Sequence, residues 1–411
     1  MTALVLSRVF PPQVGGSGRF LWELYRRQPV GEYRIAAGQF AGSDRFDAGA
    51  SLAIDRLPLH FRNWGLLPLG FPSYLDNFRR VMKIVRRERV TALHASTLLP
   101  EGFLAWMVSH CTGLPYLLFI HGEEVPIVAG SRELSWMARR VLASASAIIA
   151  NSENTRRQIL KHWPGVGSKL TVVTPGVDVD RFRPAASDPP IRQKLAWTGR
   201  RVILTVGRLQ TRKGHDCLIR ALPAIRQAIP NVLYAIVGDG DRRQALESLA
   251  DACGVRDCVR FHGGLDDREL IECYQQCDLL ALPNREVNGD FEGFGMVLVE
   301  AQACGRPVLA GTSGGTAETM RPGETGCLVN CNEPEPVAQA LADLLSDPMK
   351  LERMGAAARQ WAVEQFDWNM IAGRAAEVFQ SITYDAQRLR PLVSRRNDSS
   401  AIVPAGKAMR A

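Results

Sequence analysis

Residues 292–300 of this chain are Glu-Gly-Phe-Gly-Met-Val-Leu-Val-Glu, a glycine-rich turn between two carboxylates that passes into an apolar segment. We predict that a helix begins near Gly295, which would direct free backbone N–H groups towards an anion. Gly293 and Gly295 have no Cβ atom to keep a phosphate at a distance. Glu300 would lie about one and a half turns along the helix and accept hydrogen bonds from sugar hydroxyls. The stretch therefore predicts a metal-independent diphosphate site, and the simpler alternative is an acidic loop before an amphipathic helix.

Strand-like apolar runs alternate with helical segments on both sides of this stretch. Such alternation predicts the α/β class, with parallel sheets covered by helices. A proline-rich polar segment, 183–190, separates two series of runs and is the predicted linker. We therefore expect two doubly wound, Rossmann-like domains that face each other across a cleft, with ligands at the carboxyl ends of the strands. The predicted strands are 3–7, 92–94, 116–120, 147–150 and 170–173, then 202–206, 233–237, 279–282 and 308–310.

Size and composition agree with two domains of a cytoplasmic protein. The chain has 411 residues, of which 46% are hydrophobic and 22% charged, about twice the length of a typical domain. No uninterrupted apolar run approaches the ~20 residues that span a bilayer, and the N-terminus lacks a signal-peptide pattern. The nine cysteines form no CxxC pair, so we expect reduced thiols and no metal site.

The net charge of +8 favours anionic partners such as nucleotides, phospholipid headgroups or nucleic acid. Six basic residues fall within 78–89, a predicted helix, and the preceding segment 61–71 is unusually apolar for a loop. Segment 61–89 would either dock on the anionic inner face of the cell membrane or form an ordinary helix with a solvated basic face. No nucleic-acid-binding motif accompanies the charge, so nucleic acid is not an expected partner.

Several loops at the predicted strand ends carry phosphate-binding chemistry. Gly15 and Gly16 follow the first strand and would let a phosphate approach the next helix, although tight strand-to-helix packing also explains them. Arg208 and Lys213 follow the first strand of the second domain, where two cations would neutralise a departing diphosphate. The structural alternative for this pair is an ordinary basic surface loop.

Two further loops contribute candidate residues. Gly238 and Asp239 end another strand in a tight turn that would pass beneath a nucleotide, and a metal pair of Asp239 with Asp241 is only weakly indicated. His121 ends strand 116–120 on the cleft side, and its company favours a catalytic role over a merely hydrogen-bonded structural one.

In their order along the chain, these motifs resemble the retaining GT-B glycosyltransferases of family four, and the resemblance covers essentially the whole chain except its last residues. Residues 290–315 look especially like the branch of mycobacterial phosphatidylinositol mannosyltransferases that use GDP-mannose. The motifs that carry the resemblance are Gly15-Gly16, His121-Gly122, Asn151-Ser152, 175–178, Gly207-Arg208, Lys213-Gly214 and the pair of Glu292 with Glu300.

The resemblance implies a GT-B fold and a nucleotide-sugar donor that serves as substrate, without cofactor or metal. The implied catalytic residues are His121, Glu292, Arg208 and Lys213. Glu292 would contact the transferred sugar, His121 would lie against its face, and Glu300 would hold the ribose. The other residues implied in donor binding are Gly15, Gly16, Gly238, Asp239, Phe294, Gly295, Met296 and Val297.

The same resemblance gives domain boundaries and leaves alternatives. We predict a first, acceptor-side domain at 1–183, a second, donor-binding domain at 184–365, a final helix at about 366–384 that packs back on the first domain, and a disordered tail at 386–411. GDP-mannose is the favoured donor and a lipid or glycan the favoured acceptor. UDP-glucose, a UDP-N-acetylhexosamine and an epimerase reaction stay open, as do front-face attack and double displacement as routes to retention.

Overall fold

The computed structural model of this protein describes residues 2–13, 15–61, 63–67 and 70–397, and gives the backbone alone for 383–397. Its first sheet has seven strands in the order β3-β2-β1-β4-β5-β6-β7, and the strand pairs within it are parallel. The strands are β1 Ala3–Ser7, β2 Tyr33–Gly38, β3 Ala53–Leu57, β4 Ala92–Ala95, β5 Tyr116–Ile120, β6 Ala147–Ala150 and β7 Leu170–Val172.

The second sheet has six strands in the order β10-β9-β8-β11-β12-β13 and is parallel as well. In both sheets the order reverses beside the first strand of the domain, which is the place where doubly wound sheets bind ligands. The strands are β8 Arg201–Val206, β9 Val232–Val237, β10 Val259–Gly263, β11 Leu279–Leu282, β12 Val308–Gly311 and β13 Gly326–Val329.

Helices cover both faces of each sheet. Alternate residues of β1 show this arrangement, because Leu4 and Leu6 join one apolar core while Ala3 and Val5 join the other. The helices are α1 Gly16–Tyr25, α2 Ser43–Ala48, α3 Gly70–Arg87, α4 Glu101–Thr112, α5 Glu124–Gly130, α6 Arg132–Ser144, α7 Glu153–His162, α8 Pro189–Lys194, α9 His215–Ala228, α10 Arg243–Ala252, α11 Asp267–Gln276, α12 Met296–Ala303, α13 Pro334–Leu345, α14 Pro348–Phe366 and α15 Trp368–Asn397.

The last helix returns to the first domain. The chain leaves the second domain after α14, where Asp367 forms a backbone bridge with Val177, and then enters α15. Buried Trp368 and Phe379 of α15 belong to the same apolar core as β1, so their side chains are core rather than a partner surface. The helical backbone extends to Asn397, which differs from the predicted tail for 386–397, and 398–411 lie outside the described residues.

The carboxyl ends of the two sheets face each other across a cleft, and contacts between the two domains bridge it. Glu318, between β12 and β13, accepts hydrogen bonds from the backbone N–H groups of Glu153 and Asn154 at 2.6 and 2.7 Å. A carboxylate of the second domain thus caps α7 of the first, where the helix dipole favours negative charge. In the described part of the chain, no helix has the length and apolar character needed to cross a bilayer.

Candidate active site

Two helix N-termini, one from each domain, meet in the cleft. Gly15 precedes α1 and Gly295 precedes α12, so the predicted start of a helix near Gly295 is confirmed. A Cβ atom on Gly16 would lie 3.9 Å from Sδ of Met296, the first residue of α12. Because each N-terminus carries partial positive charge and unpaired N–H groups, this meeting point attracts an anion from both sides.

Two glycines of the 292–300 stretch are required by the backbone. Gly295 has φ of 92°, a left-handed conformation that side chains other than glycine rarely adopt. A Cβ atom on Gly293 would overlap the carbonyl oxygen of His121 in the other domain. The glycine at 293 therefore lets the two domains approach at the point where the sequence places the reacting sugar.

Glu292 is the centre of a buried ion-pair network. Its Oε2 atom lies 2.5 Å from Nη1 of Arg212 and 2.6 Å from Nζ of Lys213. Burial acts to raise the pKa of Glu292, but Lys213 and Arg212 outweigh it, so the pKa lies below its ordinary value. Glu292 is thus an ionised hydrogen-bond acceptor that two cations hold in place.

Arg212 joins this network to both walls of the cleft. Its Nε atom lies 3.2 Å from Asp290, and its Nη2 atom lies 3.9 Å from Glu123 of the first domain. Arg212 has no role among the sequence-based predictions, although Arg212 directly precedes Lys213. Its position next to a predicted phosphate-binding cation was the one available signal.

The two cations predicted to bind the diphosphate differ in their surroundings. Lys213 is buried and already paired with Glu292. Arg208 is exposed, and within the described ranges no carboxylate forms an ion pair with it. Arg208 is therefore the cation that is available to an incoming anion, whereas Lys213 would share its charge between Glu292 and the ligand.

Glu300 is buried and bound by one residue from each domain. Tyr274 donates a hydrogen bond to its Oε2 atom at 2.6 Å, and Nη1 of Arg19 lies 3.0 Å from its Oε1 atom. Glu300 raises the pKa of Arg19, and burial opposes it. The pair of Arg19 and Glu300 crosses the cleft. A ribose at Glu300 would share this carboxylate with Arg19 or displace it.

His121 lies at the carboxyl end of β5 in a fixed orientation. Its Nε2 atom is 2.9 Å from the carbonyl oxygen of Ser96, which can only accept, so Nε2 carries the proton. The ring packs edge-on against Phe20, and the backbone N–H donates to Glu124 at 3.0 Å. These contacts leave Nδ1 without a hydrogen-bond partner among the described residues.

A cavity of about 460 Å³ lies beside His121 and between the two domains. Its walls come from the loops after β1, β4 and β5 and from residues 288–290 of the second domain. Trp64 and Ile127 form apolar parts of the wall, and the volume lies within the range of small-molecule sites.

Comparisons with known proteins connect this site to a family. The family model described as Glycosyltransferase Family 4 matches residues 14–181, and the model described as Glycosyl transferases group 1 matches residues 187–361. The chain is 32% identical over 383 residues to the GDP-mannose-dependent alpha-(1-6)-phosphatidylinositol monomannoside mannosyltransferase of Mycobacterium tuberculosis, covering 91% of this chain and 97% of that protein. The chain belongs to glycosyltransferase family four. Within it, the chain falls in the branch of the phosphatidylinositol mannosyltransferases.

This family-four glycosyltransferase is also similar to a second group of named relatives and to solved structures. It is 34% identical over 308 residues to the D-inositol 3-phosphate glycosyltransferase of Streptomyces scabiei, covering 71% of this chain and 68% of that one. The solved structure of Anabaena HepE in complex with UDP-glucose has a TM-score of 0.77 at 23% identity and covers 93% of this chain and 100% of its own. The fold is therefore GT-B, as predicted.

The remaining predicted donor-binding residues of the glycosyltransferase lie around the helix N-termini or behind them. Met296 and Val297 are half-buried in the first turn of α12, whereas the side chain of Phe294 is buried against Phe366. Gly238 and Asp239 lie beneath the loop that carries Arg208, since the carbonyl of Asp239 accepts from Leu209 at 3.1 Å. Phe294 would thus reach a ligand only through its backbone.

Proposed function

We propose that this glycosyltransferase moves mannose from GDP-mannose to a hydroxyl group of a lipid-linked or glycan acceptor, with retention of anomeric configuration and without a metal ion. The observation that carries the proposal is the meeting of the α1 and α12 N-termini in the cleft, where Lys213 pairs with Glu292 of the turn before α12. A nucleoside diphosphate fits this point because its charge would face two helix dipoles and two cations.

The neighbouring carboxylates support a sugar nucleotide rather than a simple phosphate. Glu300 lies in the second turn of α12, where its unused acceptor capacity suits the ribose hydroxyls. Glu292 and His121 lie on opposite walls of the cleft, which suits a hexose between them. The choice of GDP-mannose comes from the named mycobacterial relative, and UDP-glucose is the alternative because HepE was solved with that ligand.

Front-face attack is the route that these residues favour. The acceptor oxygen would bond to the anomeric carbon while the bond from that carbon to the diphosphate breaks, and the hydroxyl proton would pass to the departing phosphate oxygen. Arg208 and Lys213 would stabilise the charge that develops on the leaving group. The cations and helix termini supply this stabilisation from the chain itself, so activity that survives EDTA treatment is the expected result.

Exposed apolar side chains near the cavity support a lipid-linked acceptor. Leu67 and Phe71 are 74% and 52% exposed, and Ile127, which lines the cavity, is 56% exposed. Helix α6 holds the loop that contains Leu67, because Glu133 of α6 accepts a hydrogen bond from the backbone N–H of Leu67 at 3.0 Å. An apolar surface at the mouth of the cavity would let a headgroup enter while its lipid chains stay in a bilayer.

The basic helix α3 contributes less charge to this surface than its sequence indicated. Arg80 pairs with Asp76, and Arg87 pairs with Asp55. Exposed Arg79, Lys83 and Arg86 have no ion pair with a carboxylate among the described residues. Residues 62, 68 and 69 of the predicted membrane segment 61–89 lie outside the described residues, and contact with a membrane stays a prediction.

Liposome sedimentation tests this surface directly. Replacing Leu67 and Phe71 by Ser should reduce binding to anionic vesicles, because each substitution removes an exposed apolar side chain. Val30→Ser is the matched control, since Val30 is 81% exposed on the loop before β2. Equal binding by the double variant and the control would contradict the membrane proposal.

Ligand-dependent thermal stability tests the donor. GDP and GDP-mannose should raise the melting temperature more than UDP or ADP compounds at equal concentration, since a ligand that binds only the folded state stabilises it. NMR of the product from GDP-mannose should then show the α-anomer. A selective UDP shift would redirect the proposal to UDP-sugars, and the absence of any nucleotide shift would contradict a nucleotide-sugar donor.

A further inference from the structure

Glu124, the first residue of α5, is the carboxylate that faces the cavity beside His121 with one oxygen unused. It is 4% exposed. Its Oε1 atom accepts the backbone N–H of His121 at 3.0 Å, whereas its Oε2 atom has no hydrogen-bond partner within the described protein and Glu124 lines the cavity. Buried carboxyl oxygens are almost always hydrogen-bonded in folded proteins, so the unpaired atom indicates a ligand that completes it.

The other carboxylates of the cavity wall are engaged. Glu101 accepts the backbone N–H of Arg8 at 2.8 Å and the hydroxyl of Thr97 at 2.6 Å, one with each oxygen. Glu123 and Asp290 both face Arg212. Among the described wall residues, Glu124 alone combines burial with a free carboxyl oxygen.

Glu124 and His121 form one rigid unit. The hydrogen bond between them fixes the carboxyl group, and the contacts of His121 with Ser96 and Phe20 fix the imidazole. A group bound at Oε2 of Glu124 would therefore lie beside the sugar that we place against His121. This is the position that the attacking hydroxyl must occupy.

We propose that the cavity is the binding site of the acceptor's polyol ring and that Oε2 of Glu124 accepts a hydrogen bond from its reacting hydroxyl. This inference rests on the proposed function. Glu124 orients the oxygen towards the anomeric carbon, and the hydroxyl proton still passes to the departing diphosphate as the new bond forms. Burial raises the pKa of Glu124, while His121 opposes that rise. Either protonation state of the carboxyl group can hydrogen-bond a hydroxyl.

The test uses the full chain and the variant Glu124→Gln, whose amide oxygen can still accept the N–H of His121. The probes are methyl α-D-mannopyranoside and myo-inositol. Saturation-transfer NMR measures their binding to the GDP-loaded protein, and release of GDP from GDP-mannose measures transfer to them. We expect at least one probe to bind, and its kcat/KM to fall about 10- to 100-fold in the variant, because the amide nitrogen that replaces Oε2 cannot accept the hydrogen bond of the hydroxyl. The rise in melting temperature that GDP causes should be the same in the variant as in the wild type, because the proposed contact of Glu124 is with the acceptor and not with the donor.

Glu32→Gln is the matched control, because Glu32 is exposed in the loop before β2 and the substitution removes the same charge. It should leave the transfer rate and the GDP-induced rise in melting temperature unchanged. Loss of that rise together with transfer in Glu124→Gln would assign Glu124 a structural role and overturn the proposal, as would wild-type transfer in Glu124→Gln or binding of neither probe to the wild-type protein. Stabilisation of the wild-type protein by GDP separates failure of the proposed function from failure of the role of Glu124. If GDP does not stabilise the wild type, the proposed function itself is contradicted. If GDP does stabilise it, a refuting result contradicts only the role of Glu124.

Discussion

Replacing Glu292 by Gln should destabilise the protein as well as inactivate it. The carboxylate holds Arg212 and Lys213 at 2.5 and 2.6 Å, and the side chains of all three are at most 12% exposed. Removing one partner of a buried ion pair typically costs 3–5 kcal/mol, because the other charge stays buried and unpaired. Arg212 would keep Asp290 at 3.2 Å. We therefore expect the lower end of that range, about 3 kcal/mol.

Urea unfolding, followed by circular dichroism and tryptophan fluorescence, measures this cost. Asp290→Asn is the matched control, because it removes a carboxylate from the same Arg212 while its side chain is 53% exposed. Exposed pairs contribute about 0–1 kcal/mol, so the control should lose no more than that. Equal losses in the two variants would refute the argument that burial makes the Glu292 network essential. Transfer activity should fall in Glu292→Gln because the sugar loses a charged acceptor.

The pH dependence of stability gives an independent check. The pKa of Glu292 is below its ordinary value of 4.5 in the folded protein. Its contribution is therefore present above about pH 4.5 and is lost as the pH falls through the folded pKa. The difference in unfolding free energy between wild type and Glu292→Gln should narrow as the pH is lowered from 7 towards 3. A constant difference would show that Glu292 is not ionised in the folded state.

Three other substitutions test the contacts around the cleft. Tyr274→Phe should cost about 1.5–3 kcal/mol in urea unfolding, because the lost hydrogen bond is to the buried carboxylate of Glu300, and a cost below 0.5 kcal/mol would contradict that bond. Glu318→Gln should weaken domain closure and raise the radius of gyration measured by small-angle X-ray scattering, and an unchanged radius would contradict its role. Gly293→Ala should abolish transfer, because the added Cβ would overlap the carbonyl oxygen of His121. Circular dichroism should show that each domain stays folded, and wild-type turnover would contradict the close approach.

The sequence predicted the architecture because strand and helix periods are local. Nine predicted strands correspond to strands of the structure. Strands β2, β3, β10 and β13 were missed. In β3 the segment Ala-Ile-Asp-Arg-Leu is partly exposed and mixes charges with apolar residues, so it lacks the continuous apolar run of a buried strand.

The sequence named candidate residues of the site but not the contacts between them. Arg208 and Lys213 follow β8, and both carboxylates of the 292–300 stretch follow β11, so these residues lie at the carboxyl ends of strands; their roles stay predictions. The contacts of Arg19 and Tyr274 with Glu300 join residues far apart in the sequence, and no local pattern specifies such pairs. Glu292 lies on a loop, where side chains are usually exposed, but packing of the turn against the first domain buries it.

The partnerships of Glu300 and Glu292 explain how a site built from opposite charges can still bind an anionic donor. Each carboxylate oxygen has two acceptor positions, so Glu300 can receive a ribose hydroxyl while Tyr274 and Arg19 stay in place. Lys213 has three N–H donors and pairs with Glu292, which leaves capacity for a phosphate oxygen. The carboxylates thus hold the cations in position before a donor arrives, and a donor that shares Glu300 with Arg19 would add to the network rather than dismantle it. Such preorganisation lowers the reorganisation that the reaction would otherwise require.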